Sequence, residues 1–183
     1  MTKIESLMQV KAFARQDGAS LSLLWIASFA CVLGMPQSMI GSLLALATPF
    51  FIGWRLCKFR DYALDGVLSF RRGYVYSTYT FFYAAVIFAL AQYVYFRFLD
   101  HGTFCTMITD SINAMMPLYE NSGISKKELT ESLSIISSST PVQWAFTFMM
   151  QNICTGVIAS LPIAAVCARR SRGTTIGRSS SQN

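Results

Sequence analysis

The feature that most constrains this chain is where its charge is missing. Lys, Arg, Asp and Glu are nearly absent from four long stretches, about residues 19–35, 39–57, 74–98 and 142–166, and they crowd between them. Segments whose solvent is lipid have this pattern. At 1.5 Å of rise per residue the shortest stretch reaches about 25 Å, enough for a thin or locally adapted bilayer. A chain of 183 residues could form an ordinary soluble domain, but only 13% of its residues are charged, against roughly a quarter in soluble domains. The expected fold is all-α: an integral membrane four-helix bundle with a small amphipathic helical hairpin on its outer side.

Charge also sets the expected orientation. Lys3, Lys11 and Arg15 precede the first stretch, and Arg55, Lys58, Arg60, Arg71 and Arg72 join the second to the third. Arg169, Arg170, Arg172 and Arg178 follow the fourth. The opposite side holds only Arg97, Lys126 and Lys127. The positive-inside rule then predicts a multi-pass protein of the cytoplasmic (inner) membrane with both termini in the cytoplasm. The net charge of +6 is accounted for by this placement, and a nucleic-acid partner is not expected. Membrane lipid is.

Residues 1–18 read as a separate cytoplasmic amphipathic segment. Thr2 and Glu5 have capping-box spacing, Ile4, Leu7 and Met8 share a face, and Asp17-Gly18 is expected to break the helix. A basic start followed by an apolar run also fits a signal peptide, but no small-x-small site follows promptly and a second apolar run begins at once. Within the four-span unit, residues 19–168, Pro36-Gln37-Ser38 predicts a turn. Gly41 and Ala45 offer a small-xxx-small packing face, and Pro49 predicts a kink. The connector after Cys57 is too apolar for a free linker and is expected to lie under the bundle or along the membrane. The third stretch carries aromatic residues at both ends, and Trp54 and Trp144 mark interfaces. Residues 103–138 predict two short helices, one ending at Pro117 and one starting at Ser125 with Glu128 as its capping partner. Pro162 predicts a kink in the fourth span. Residues 169–183 predict a disordered cytoplasmic tail.

Little catalytic equipment is visible. Cys31, Cys57, Cys105, Cys154 and Cys167 have neither metal-ligand spacing nor a Cys-x-x-Cys pair, and no intramolecular disulfide is expected. The sole histidine, His101, adjoins Asp100, a weak acid–base candidate. There is no phosphate-binding glycine loop and no zinc spacing. The middle of the spans holds no charge, which weakens a pump or antiporter reading. The chain is therefore expected to be non-enzymatic, without cofactor or metal.

The polar residues that stand out are Gln92, Gln151 and Asn152, all in the outer half of the membrane. They either tie the third and fourth spans together or line a cavity beneath the hairpin. Asp61 and Asp65 lie among basic residues, which favours local ion pairs. Arg60, Arg71 and Arg72 are alternatively contacts for a lipid headgroup.

The stretch Gly53 to Gly102 resembles the core of the domain of unknown function 4199 family. The matching residues are Phe59-Arg60-Asp61, then Gly66-Val67-Leu68-Ser69-Phe70, then Tyr95-Phe96-Arg97-Phe98-Leu99-Asp100. Asp100-His101 stands where the family usually has Asp-Pro. The resemblance implies a four-helix protein of a bacterial inner membrane, mainly in Bacteroidota, and implies no activity or site residues. The leading expectation is an accessory or interaction subunit in an envelope or lipid-linked pathway, with a membrane-protein partner or a homo-oligomer. The alternatives are a carrier or binder of lipid or small solute between spans three and four, and an enzyme acting on a lipid headgroup through His101 and Asp100.

Overall fold

The structure is a computed structural model that describes residues 3–35, 38–121, 131, 134–135 and 138–168. The Thr2 cap, Pro36-Gln37, the Ser125–Glu128 cap, most of the second hairpin helix and the tail from 169 onward lie outside the described residues.

The element order is α1 (Lys3–Gly34), α2 (Ile40–Leu46), α3 (Thr48–Ala63), α4 (Phe70–Val94), a π-turn (Tyr95–Leu99), α5 (Thr103–Asn121) and α6 (Pro141–Cys167). Among the described residues, four helices are long and apolar enough to cross a membrane: Leu7–Gly34, Ile40–Ala63, Phe70–Leu99 and Pro141–Cys167. Lipid offers the backbone no hydrogen-bond partners, so segments of this composition satisfy themselves as helices. The chain is an all-α, multi-pass membrane protein with an extra helix, α5.

The central helix is α4, with α1 and α6 packed along it. Because lipid tails are as apolar as the helices, close approach depends on small residues. A Cβ on Gly156 of α6 would lie 2.4 Å from a ring carbon of Phe81 on α4. A Cβ on Gly18 of α1 would lie 2.8 Å from Cβ of Tyr83 and 2.9 Å from the carbonyl oxygen of Thr80. Glycine at both positions lets α4 sit flush between its neighbours.

Gly18 also corrects the expected break. The chain does not separate an amphipathic segment 1–18 from a first span. Instead α1 runs unbroken through Asp17-Gly18. In water Asp-Gly favours a turn, but here Gly18 is a contact point and Asp17 is 2% exposed, bonded to residues of other helices.

Span two divides at Ala47, one residue before α3 begins at Thr48-Pro49. Pro49 has no N–H to donate to an upstream carbonyl, which accounts for an interruption at this point of the helix. The consequence is that α2 packs on α1, while α3 packs chiefly on α6 and α1. Gly41 is buried on α1, where an added Cβ would lie 2.5 Å from a Val32 methyl.

The connector belongs mostly to α3, which continues through Arg60 and Asp61 to Ala63. Asp65 and Gly66 turn the chain with positive φ angles of 49° and 77°. Leu68 is fully buried, and the Ser69 hydroxyl caps α4 by accepting from Arg72 N at 3.4 Å. At the far end, Asp100 N donates to Tyr95 O at 2.9 Å, closing the π-turn. The Asp100 carboxylate accepts from Phe104 N at 3.0 Å and starts α5. The hairpin's first helix carries on past Pro117 to Asn121. A Thr140–Gln143 capping box, absent from the sequence reading, opens α6.

Candidate functional site

Where α2 leans onto α1 and away from α6, the half of the bundle nearer α5 holds a partly open cavity of about 540 Å³. That is ordinary for a small-molecule site, which spans roughly 300–1,000 Å³. Helical periodicity explains its walls. Trp25, Ser28, Phe29 and Val32 lie on one face of α1, and Phe81, Phe88 and Gln92 on one face of α4. Phe148, Asn152, Thr155 and Ala159 repeat along α6. Ala45, Thr48 and Pro49 supply the span-two side, and Phe104 and Met107 of α5 bound the end nearest that helix.

Among the described residues, the lining contains no charged side chain. Two polar groups on the α1 side are already engaged: Trp25 Nε1 donates to Thr48 Oγ1 at 3.0 Å, and the Ser28 hydroxyl donates to the Gly41 carbonyl at 2.7 Å. Gln92 differs. It is 2% exposed, and its Oε1 is buried without a hydrogen-bond partner. A buried acceptor left unpaired costs about 1–3 kcal/mol.

Of the three amides singled out in sequence, Gln92 and Asn152 share this wall. Gln151 is exposed and is not among the lining residues, and its Nε2 donates to Thr155 Oγ1 at 3.4 Å. No bond through Gln92 Oε1 joins α4 to α6. Ala45 lines the cavity, while Gly41 packs beneath it on α1. Arg60 donates to Asp61 at 2.8 Å and to the Cys167 carbonyl at 3.3 Å. Arg71 is exposed and Arg72 half-buried. The exposed His101 sits beside an Asp100 carboxylate that caps α5. Among the described residues, no group of three or more His, Cys, Asp or Glu could hold a metal ion.

A second polar cluster lies toward the opposite end of the bundle and was not anticipated. Asp17 of α1 accepts from Arg55 of α3, with Nε at 2.6 Å, and from the hydroxyl of Tyr76 on α4. Phe59 stacks on Tyr76 with ring centroids 4.8 Å apart and meets Phe13 at 5.1 Å. The carboxylate is thus compensated by a guanidinium and a phenol, as a buried charge requires. The sequence signal was an acid at the foot of span one opposite an arginine at the foot of span two. It was masked by reading Asp-Gly as a helix breaker. Nearby, Cys57 of α3 and Cys167 of α6 hold their Sγ atoms 3.5 Å apart as free thiols.

The model of a family described as a protein of unknown function, DUF4199, matches residues 16–169. No curated protein and no solved structure matches the chain.

Proposed function

This chain belongs to the DUF4199 family, and from that premise, which carries no activity, we propose that it is a non-enzymatic membrane protein that binds a lipid or small apolar solute in the cavity between its helices. The observation that carries this reading is the 540 Å³ space walled by aromatic rings from three spans. A cleft of this size, walled largely by apolar and aromatic side chains, is the usual setting for a small ligand. The proposed setting is the cytoplasmic membrane with both termini inside, as the basic residues favour.

Native mass spectrometry of the full chain, released gently from its own membrane, tests the reading. The expected result is one tightly held small molecule on the wild-type protein. That mass is lost when Ala159→Phe fills the cavity. Equal small-molecule content in both proteins overturns the proposal.

An accessory-subunit role takes second place. Gly41, the residue best suited by sequence to a partner helix, is covered by α1 of the same chain. What still favours that role is α5, whose Met115 is 44% exposed beyond the cavity's outer wall. A stoichiometric second protein in the same measurement would move this reading to first place.

A further inference from the structure

We propose that the cavity opens sideways into the bilayer and takes up an acyl chain of a membrane phospholipid. The proposal rests on the cavity being a ligand site and adds where its occupant comes from and by which route. The first observation is which parts of the wall are covered. Trp25 and Ser28 of α1 and Phe81, Phe88 and Gln92 of α4 are buried and form the floor. Among the described lining residues, only Ala45, Pro49 and Thr155 are exposed. Two of these lie on span two and one on α6, so the rim runs between those helices. The packing agrees: α1 lies on α4, α4 on α6 and α2 on α1, whereas α2 and α6 make no comparable contact.

The second observation is depth. Thr155 falls midway along Pro141–Cys167, and Pro49 lies about 13 Å into Ile40–Ala63 at 1.5 Å of rise per residue. The hydrocarbon core of a bilayer is roughly 30 Å thick, so the rim faces acyl chains rather than water. Third, the end nearest α5 is shut by side chains among the described residues. Phe104 is buried, and its ring meets those of Phe96 and Trp144 at 5.1 Å and that of Phe148 at 5.9 Å. A solute dissolved in water would have to cross lipid to reach the rim, whereas a phospholipid chain is already beside it. The neutral, largely apolar wall suits such a chain, which needs neither a counter-ion nor a hydrogen bond. The lipid's charged head stays at the interface while the chain bends inward between α2 and α6.

Trp25 provides the readout, since it lies on the cavity floor at 8% exposure and only three tryptophans are present. The full-length chain carrying Trp54→Phe and Trp144→Phe is placed in nanodiscs of phosphatidylcholine with or without bromine at the middle of one acyl chain. Brominated lipid is expected to quench Trp25 by about half, as a chain held inside a pocket would, while acrylamide in the water leaves it bright. Ala45→Phe and Thr155→Phe each place a ring on the rim, where it faces lipid and disturbs no helix contact. Each is expected to restore about half of the lost fluorescence, because an overfilled entrance excludes the chain. Equal quenching in the parent and both rim variants means annular lipid only and overturns the proposal. Quenching by acrylamide but not by brominated lipid places the mouth in water and also overturns it. So does quenching by a brominated free fatty acid in discs whose brominated phospholipid has no effect, since the source is then not phospholipid. Native mass spectrometry of the same protein separates this failure from that of the ligand site. A bound small molecule that Ala159→Phe still displaces keeps the ligand site and rejects only the phospholipid chain, whereas no bound mass in either protein rejects both.

Discussion

At the scale of single residues, Asp17 and Gly156 carry the clearest consequences. Asp17 holds Arg55 and Tyr76 in one buried cluster, and Arg55 keeps only 24% of its side chain exposed. Removing one partner of such a pair leaves the other uncompensated, so Asp17→Ala is expected to lower stability by about 3 kcal/mol. Unfolding in mixed micelles measures this. The Asp17→Ala, Arg55→Ala double variant is expected to lose less than the two single losses combined, by about 1 kcal/mol or more. Strict additivity would mean that the two groups do not sense each other. Gly156→Val tests the closest helix contact. Its Cβ would meet the Phe81 ring at 2.4 Å, and overpacking of this kind costs about 1–3 kcal/mol. Pairing it with Phe81→Ala is expected to recover part of the loss. Neither residue announces its role in sequence, because Asp-Gly and an isolated glycine in a helix have the same local signature whether they break, cap or pack.

Among elements, the division of span two matters most. Pro49 was readable as a kink, and the helix assignment is interrupted two residues before it, at Ala47, between α2 and α3. What the break accompanies was not readable: α2 packs on α1 while α3 packs on both α6 and α1, and the cavity is lined by Ala45, Thr48 and Pro49 at the junction. Replacing Pro49 with Ala restores a backbone donor and favours a straighter helix. The expected outcome is less co-purifying small molecule per protein by native mass spectrometry, with the protein still folded. The α3–α6 contact has its own check. Air oxidation catalysed by copper–phenanthroline is expected to join Cys57 to Cys167, whose sulfurs are 3.5 Å apart, and to remove two hydrogens from the intact mass. Cys57→Ser is expected to abolish that change. The segments that resemble the DUF4199 family also acquire physical roles at this scale. Gly66-Val67-Leu68-Ser69-Phe70 comprises a turn, a fully buried plug, a cap and a helix start. Tyr95 to Asp100 forms the π-turn and the cap of α5.

For the whole molecule, orientation is the open prediction. In a chain whose own cysteines are changed to Ala, a cysteine at Ser138 is expected to react with a membrane-impermeant maleimide from outside intact cells. One at Asp65 is expected to react only after lysis. The reverse pattern would place both termini outside and set aside the charge argument. Four spans and the all-helical class were determined by the sequence alone, because the cost of exposing charge or unpaired backbone to lipid is local and large. The cavity, the Asp17–Arg55–Tyr76 cluster and the separation of Gln92 from Gln151 were decided only by tertiary structure. Each depends on the rotation and crossing of one helix against another, which in lipid is set by glycine contacts and a proline break rather than by any hydrophobic stripe that a sequence displays.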